Sequence, residues 1–353
     1  MQGIVFSSHI NAYTLYEGSR RLGIDLSTTD INPNFLIPFR KTTNQDDWLF
    51  FTEEDSLQRA LKGEEKGKFF PSQFPQNLLD NKWAFVEWLA KDDRLTPGLS
   101  QWSLFKEEKI TYPCVCKAKH SWIESVKLPR GWICRSEEEV KKCIENIQEK
   151  GLNTNHFFLQ EWLGDSQCRV ISVCGFYDWE DDSRNLTAVV ERIASYTNGL
   201  SCSAALETIS DEWELIQRTF SILNGLKFTG PFELEYIVSG YRVVVLELNP
   251  RFWMQHSIFL GNGNGVIKRY LRMDSIVDRS QQSISRIVWV DGLHLLRSIL
   301  FLQVNFPLMV VRKFLERNKS ILIFPSLPKS ISMAFRVFCR KIIPKLKKSL
   351  SNT

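Results

Sequence analysis

The sequence predicts a mixed α/β protein, and three observations carry that expectation. The chain opens with an apolar strand, a polar turn and a helix. Its middle alternates short apolar runs with amphipathic helices. Further on, two apolar strands turn back on each other at Ser239-Gly240. A length of 353 residues allows two or three domains.

The elements follow in order. "MQGIVFSSHINAYTLYEGSRRLG" reads as a strand from Ile4 to Phe6, a turn, and a helix stopped by Gly23; "GIDLSTTD" begins a second strand. No G-x-G-x-x-G occurs there, so a dinucleotide site is not supported. Asn32 to Gly67 reads as irregular and polar. "LLDNKWAFVEWLA" is a helix capped by Asp80, and "RLTPGLSQW" breaks it. "YPCVCKAK" and "GWIC" are strands, and "SEEEVKKCIENIQEKG" is a helix with Ser136 as cap and Gly151 as stop. "HFFLQEWLGD" is an apolar strand, and "CRVISVCGFYD" pairs with "LTAVVERIASY". "SDEWELIQRTFSILNGLK" is an amphipathic helix, "GPFELEYIVSGYRVVVLELNPRF" a hairpin, and Gly265 to Met273 a helix. Residues 274–353 read as a separate, mostly helical and more basic section.

Charge and cysteine usage exclude several classes. The net charge is +5, yet Arg317 to Thr353 holds nine Lys or Arg and no Asp or Glu. The rest carries 36 basic and 40 acidic side chains, so the chain is not a general nucleic-acid binder. Eight scattered cysteines include no C-x-x-C pair, which argues against zinc and for reduced thiols in a cytosolic protein. Cys114 and Cys116 share one strand face and read as buried. The tryptophans at 83, 88, 162, 253 and 289 read as core, with Trp253 the exception to note because it stands close to Arg251 and an acceptor pocket there.

The hairpin concentrates the chemistry. Glu235 and Glu247 lie on its two strands, where pairing brings them to one face, and Asn249, two residues past Glu247, shares that face. Two carboxylates and an amide oxygen form a hard-oxygen site suited to Mg²⁺, which keeps several waters and prefers carboxylates with phosphate oxygens. The bland alternative is a solvated polar face. A metal–phosphate site also needs cations; Lys82 at a helix start and Lys117 at a strand end are candidates, although a lone lysine is ordinarily a solvated charge. His256, just past Arg251, is a candidate for substrate contact, with a structural role as the ordinary reading of a lone histidine.

The order of lysine helix, lysine strand, apolar strand and carboxylate hairpin resembles the ATP-grasp superfamily of ligases, over about Ile4 to Leu271. "LLDNKWAFVEWLA" resembles the helix carrying the first phosphate-binding lysine, here Lys82, with Asn81 where the family has aspartate. "YPCVCKAK" is similar to the family's lysine strand and places Lys117 on the α- and β-phosphates. "FFLQEWLGD" resembles the adenine-holding strand. By that resemblance Gln160, Glu161, Trp162 and Leu163 flank the base, and Asp165, or Gln167 in its stead, holds the ribose. "PFELEY" with "VVLELNPRFW" resembles the metal hairpin and its E-x-N-P-R ending. The resemblance implies Glu235, Glu247 and Asn249 as metal ligands, Arg251 on the reacting carboxylate or acyl phosphate, and Arg192 as a further catalytic arginine. The loop after Lys117, "AKHSWIESVKLPRG", departs from the family in lacking a glycine-rich run; Lys119, His120 and Ser121 are the polar groups it offers instead.

What the resemblance implies is an ATP-grasp fold: an N-terminal α/β domain over 1–78, an ATP-grasp domain over 79–273 with a lid at about 105–160, and a helical extension over 274–353. The implied cofactors are ATP and Mg²⁺ or Mn²⁺. The implied activity activates a carboxylate as an acyl phosphate and joins it to an amine or thiol, with small-molecule carboxylate and amine substrates, no nucleic acid, and a homodimer as an open alternative. Two other readings stay open: a catalytically reduced ATP-binding regulator, and a membrane-associated protein of envelope or lipid-precursor biosynthesis. The second draws on "ISMAFRVFCRKIIPKLKK". There Ile331, Phe335, Phe338, Ile342 and Leu346 share a helical face between basic residues, so 331–348 suits peripheral contact with the inner face of a membrane, or a docked C-terminal helix.

Overall fold

A computed structural model describes residues 1–6, 10–30, 37–91, 102–103, 110–123, 126–128, 131–163, 168–195, 203–210, 212–262, 265–273, 287–291, 300 and 321–323. The chain begins with β1 (Gln2–Phe6), α1 (Ile10–Arg20), β2 (Asp25–Thr28), β3 (Trp48–Phe51) and α2 (Glu54–Leu61). The three strands form a parallel sheet in the order β2-β1-β3. The stretch expected to be irregular from Asn32 to Gly67 therefore contains a strand and a helix. "WLFF" is too short and too uniformly apolar to show alternation, which is how a covered parallel strand reads. Leu57 and Ala60 of α2 bury against Ile4, Leu49 and Phe51.

Next come α3 (Lys82–Ala90), β4 (Trp102–Ser103), β5 (Cys114–Ala118), β6 (Trp122–Ile123), β7 (Val126–Lys127), β8 (Gly131–Cys134), α4 (Glu137–Glu149) and β9 (Phe157–Glu161). The cap of α3 is Asn81, whose side chain accepts from the Ala84 N–H, and not the expected Asp80. Asp80 sits at φ +50 with its carboxylate turned elsewhere. Ser136 does cap α4, and Gly151 follows its end at φ +70. Strands β4-β9-β5-β8 form an antiparallel sheet. One face, with Cys114, Cys116, Phe157 and Leu159, packs on Val140, Cys143 and Ile147 of α4. Alternation leaves Val115, Lys117, Phe158 and Gln160 on the other face.

The largest sheet uses β10 (Arg169–Asp178), β11 (Leu186–Ser195), β12 (Ser203–Ile209), β13 (Thr229–Ser239), β14 (Arg242–Asn249), β15 (Ile287–Val290) and β16 (Ile321–Ile323), with α5 (Trp213–Gly225) before β13 and α6 (Gly265–Tyr270) after β14. Its order is β14-β13-β10-β11-β12-β15-β16, antiparallel except for the last pair. Of the section from 274 onward, expected to be mostly helical, the described residues thus include two strands of this sheet; segment 331–348 lies outside the described residues. The hairpin turns at Gly240-Tyr241, one residue later than expected, with Gly240 at φ +59.

One face of the large sheet packs on α5 and α3, through Leu215, Ile222, Leu223, Phe85 and Leu89. The other shares a core with the N-terminal unit and α6. There the rings of Phe50, Phe252 and Tyr270 lie 4.9–5.6 Å apart, and the Tyr270 hydroxyl donates to the Leu49 carbonyl. Fully burying each such ring contributes roughly 1.5–3 kcal/mol. This shared core fixes the N-terminal unit against the end of the hairpin.

Candidate active site

The hairpin register places Glu235 directly opposite Glu247, and Glu233 directly opposite Asn249. Between Glu235 and Tyr236 the register shifts, because Leu246 is an extra residue on β14. The bulge lets Val243, Val245 and Leu248 all face the α5 core while Glu247 and Asn249 face the opposite side. Four polar side chains therefore form a square on one face. Glu233 was missed by the sequence reading, although it stands two residues before Glu235 and must share its face.

Glu233 is buried, and burial pushes its carboxyl up to about 8, with the charge of Glu235 adding to the effect. Asn249 donates from Nδ2 to Glu233 Oε2 at 3.1 Å. On the other side of that amide, Arg251 Nη2 lies 3.5 Å from Asn249 Oδ1. The Arg251 guanidinium is held by Glu54, with Nε donating at 2.7 Å and Nη2 2.6 Å from the same oxygen, while Nη1 donates to the Phe252 carbonyl. Glu54 opens α2 and is 197 residues from Arg251 in the chain, so no local pattern announced it.

Three cations surround the carboxylates. Lys82 Nζ is 3.6 Å from Glu247 and 3.9 Å from Asp80, and Arg192 Nη2 is 3.4 Å from Glu235. Lys117 comes from the second sheet. Burial lowers the pKa of its ammonium; Glu247 and Glu235 oppose that shift and Lys82 reinforces it. Residues from α3, β5, β11 and both hairpin strands thus meet at one place.

The turn after Lys117 is tied to the start of α3. Asp80 accepts from the Ser121 N–H at 2.8 and 3.0 Å and from its hydroxyl at 2.6 Å, and the Lys82 N–H donates to the Lys119 carbonyl at 2.9 Å. Lys119 Nζ lies 5.6 Å from the centre of the Trp83 ring, which meets Phe158 edge-on. Burial lowers the pKa of His120. Gln160 is buried opposite Val115 on the same face as Lys117. Glu161 forms a two-point fork with Arg242 of β14, both contacts at 2.8 Å. The Trp162 N–H donates to the Pro113 carbonyl, and Leu163 continues past the strand; Asp165 and Gln167 lie outside the described residues.

Two residues read as possible neighbours of this site are structural. His256 is buried between the Trp253 carbonyl, 2.7 Å from Nδ1, and the Thr14 hydroxyl, 3.2 Å from Nε2. Trp253 is core, edge-on to His256 and Phe259.

Among the described residues, no group of three or more His, Cys, Asp or Glu is placed to hold a metal ion alone. Two facing carboxylates and an amide fit instead a hard cation that takes its remaining ligands from water and phosphate oxygens.

No protein-family model matches the sequence, and no curated protein matches it. Solved structures do. Carboxyaminoimidazole ribonucleotide synthase from Aspergillus clavatus, complexed with ATP, matches with a TM-score of 0.56 at 12% identity, over 80% of this chain and 78% of that one. N5-carboxyaminoimidazole synthetase from Staphylococcus aureus, complexed with ADP, matches with 0.56 at 11% identity, over 76% of each chain. Pyruvate carboxylase from Rhizobium etli matches with 0.57 at 13% identity, over 80% of this chain and 30% of that one. The chain has the ATP-grasp fold that the sequence led us to expect.

Proposed function

We propose that this protein is an ATP-dependent ligase that activates a carboxylate and joins it to an amine. The observation carrying this reading is the facing pair Glu235–Glu247 with Lys82, Lys117 and Arg192 gathered around it. Such a site is built for a polyphosphate and a divalent cation. The fold agrees, since solved neighbours carry ATP or ADP.

Glu235, Glu247 and Asn249 would hold Mg²⁺, which would supply charge neutralisation across the phosphate oxygens. Lys82 and Lys117 would offset phosphate charge, and Arg192, 3.4 Å from Glu235, would stabilise negative charge developing on the transferred group. Lys117 is suited to the inner position: Phe158 opposite it and Val115 two residues before it are apolar and buried, which strengthens its charge interactions. Gln160, Phe158 and Trp83 line the place expected for the base. Attack of the carboxylate on the γ-phosphorus gives an acyl phosphate and ADP. The amine then displaces inorganic phosphate, a far better leaving group than oxide. Arg251 is held by Glu54, the Phe252 carbonyl and Asn249, so it acts at this centre through the hairpin end.

The reading is tested by ADP release from the purified chain with Mg²⁺, ATP and pools of small carboxylates, each with and without amines. Turnover that requires both a carboxylate and an amine is expected. ATP binding without any carboxylate-dependent turnover would overturn it.

A further inference from the structure

The residues that would bind metal are themselves held in place, and the holders lie outside the motif. Asn249 is useful to a cation only through Oδ1, because its other end is an NH₂. An amide can turn end for end at little cost unless its neighbours forbid it. Here Nδ2 donates to Glu233 Oε2 at 3.1 Å, and Oδ1 faces Arg251 Nη2 at 3.5 Å. Turning the amide would place its NH₂ against the guanidinium, two donors facing each other, and would break the donation from Nδ2 to Glu233. Arg251 is in turn fixed by Glu54, on the first turn of a helix in the N-terminal unit. The contacts run in one line: Glu233, Asn249, Arg251, Glu54.

We propose that Glu233 and Glu54 are positioning residues that clamp the Asn249 amide from its two ends, Glu233 directly and Glu54 through Arg251, so that Oδ1 stays available to a nucleotide-bound divalent cation. Neither is itself a ligand in this scheme. Outer-shell partners of this kind typically change metal affinity by about 10–100-fold. A carboxyl buried beside two others costs stability, and the clamp gives that cost a role. It also makes the N-terminal unit part of the metal site although it supplies no ligand.

The proposal rests on the nucleotide–metal reading above, and the test separates the two. Mn²⁺ binding is followed by electron paramagnetic resonance in the presence of a non-hydrolysable ATP analogue, for wild type, Glu233→Leu, Glu54→Ala and the double variant. Wild type should bind Mn²⁺ in a nucleotide-dependent way; if it does not, the parent reading fails. Glu233→Leu should weaken Mn²⁺ at least tenfold, and Glu54→Ala several-fold, with metal-free nucleotide affinity unchanged. Because both act on one amide, the double variant should lose less than the product of the two single losses. Glu233→Gln keeps an acceptor oxygen and should recover most of the affinity. Mn²⁺ affinities within twofold of wild type in folded single variants, or losses that multiply fully in the double, overturn the clamp. Should Glu233→Leu fail to fold, Glu54→Ala and Glu233→Gln still decide: unchanged affinity in the first, or a Gln variant weakened tenfold or more, counts against it.

Discussion

Replacing Glu247 with Gln should separate the function of this site from the stability of the fold. Glu247 lies directly opposite Glu235, and like charges so placed cost about 0.2–1 kcal/mol. The substitution removes that repulsion. It also removes the ion pair with Lys82 at 3.6 Å, whose side chains are 22% and 30% exposed. A pair this open to water contributes about 0–1 kcal/mol. The two changes nearly offset, so Glu247→Gln should unfold within about 1 kcal/mol of wild type, a shift of no more than about 4 °C in Tm. Catalysis has no such offset. At an effective dielectric of about 20, one unit charge acting at about 4 Å is an interaction of about 4 kcal/mol, or roughly a thousandfold in rate. Thermal unfolding and ADP release measured on one preparation test both halves. Turnover within tenfold of wild type would refute the metal assignment. Destabilisation beyond about 2 kcal/mol would refute the claim that the facing carboxylates are a cost to the fold.

Acid should weaken the protein through His256, which burial pushes down to about 4 from 6.5. The unfolded chain takes up this proton at higher pH than the folded one. The contribution is therefore full above pH 6.5 and lost as pH falls toward 4, by about 3 kcal/mol. Urea midpoints at pH 7.5 and 4.5 should show the gap between wild type and His256→Gln narrowing in acid; a constant gap contradicts this. Arg242→Ala should raise the KM for ATP several-fold with little change in kcat, because its fork with Glu161 ties β9 to the hairpin at the turn end, away from Glu235 and Glu247. A fall in kcat with KM unchanged would place the pair elsewhere in the mechanism. Gly175→Ala should prevent stable folding, since an added Cβ would lie 1.8 Å from the Leu186 carbonyl oxygen; normal soluble yield and Tm would contradict that.

The sequence made the hairpin legible because a strand has period two. Glu235, Glu247 and Asn249 were placed on one face from spacing and pairing alone, and the same rule reached Glu233 without being applied to it. The bulge at Leu246 was not legible: "VVVLEL" reads as one buried run, and only the paired strand reveals the extra residue. Asp80 and Asn81 are both good cap residues, and the choice was settled by Ser121, 41 residues away, which draws Asp80 off the helix. Glu54 shows the same limit more strongly. Its role is set by Arg251 across the shared aromatic core, and nothing within α2 distinguishes it from the neighbouring Glu53 and Asp55. Local chemistry was readable from spacing, whereas contacts between distant segments depended on the assembled core.

The ion pairs around the hairpin divide into two kinds, and the division follows the roles proposed for them. Lys82–Glu247 at 3.6 Å and Arg192–Glu235 at 3.4 Å are loose, longer than a good charge-assisted hydrogen bond. Arg251–Glu54 at 2.6 Å and Arg242–Glu161 at 2.8 Å are tight. Were Glu235 and Glu247 to hold a cation, they would give up their contacts with Lys82 and Arg192, leaving those two charges for phosphate. Both contacts are longer than the roughly 2.7–2.9 Å of a good charge-assisted hydrogen bond, so each of them is a weaker competitor for the incoming cation. The tight pairs join separate parts of the chain, the N-terminal unit to the hairpin end and β9 to β14, and gain nothing by opening during such an exchange. A protein that used the facing carboxylates only as a solvated surface would have no reason to keep three cations within reach of them.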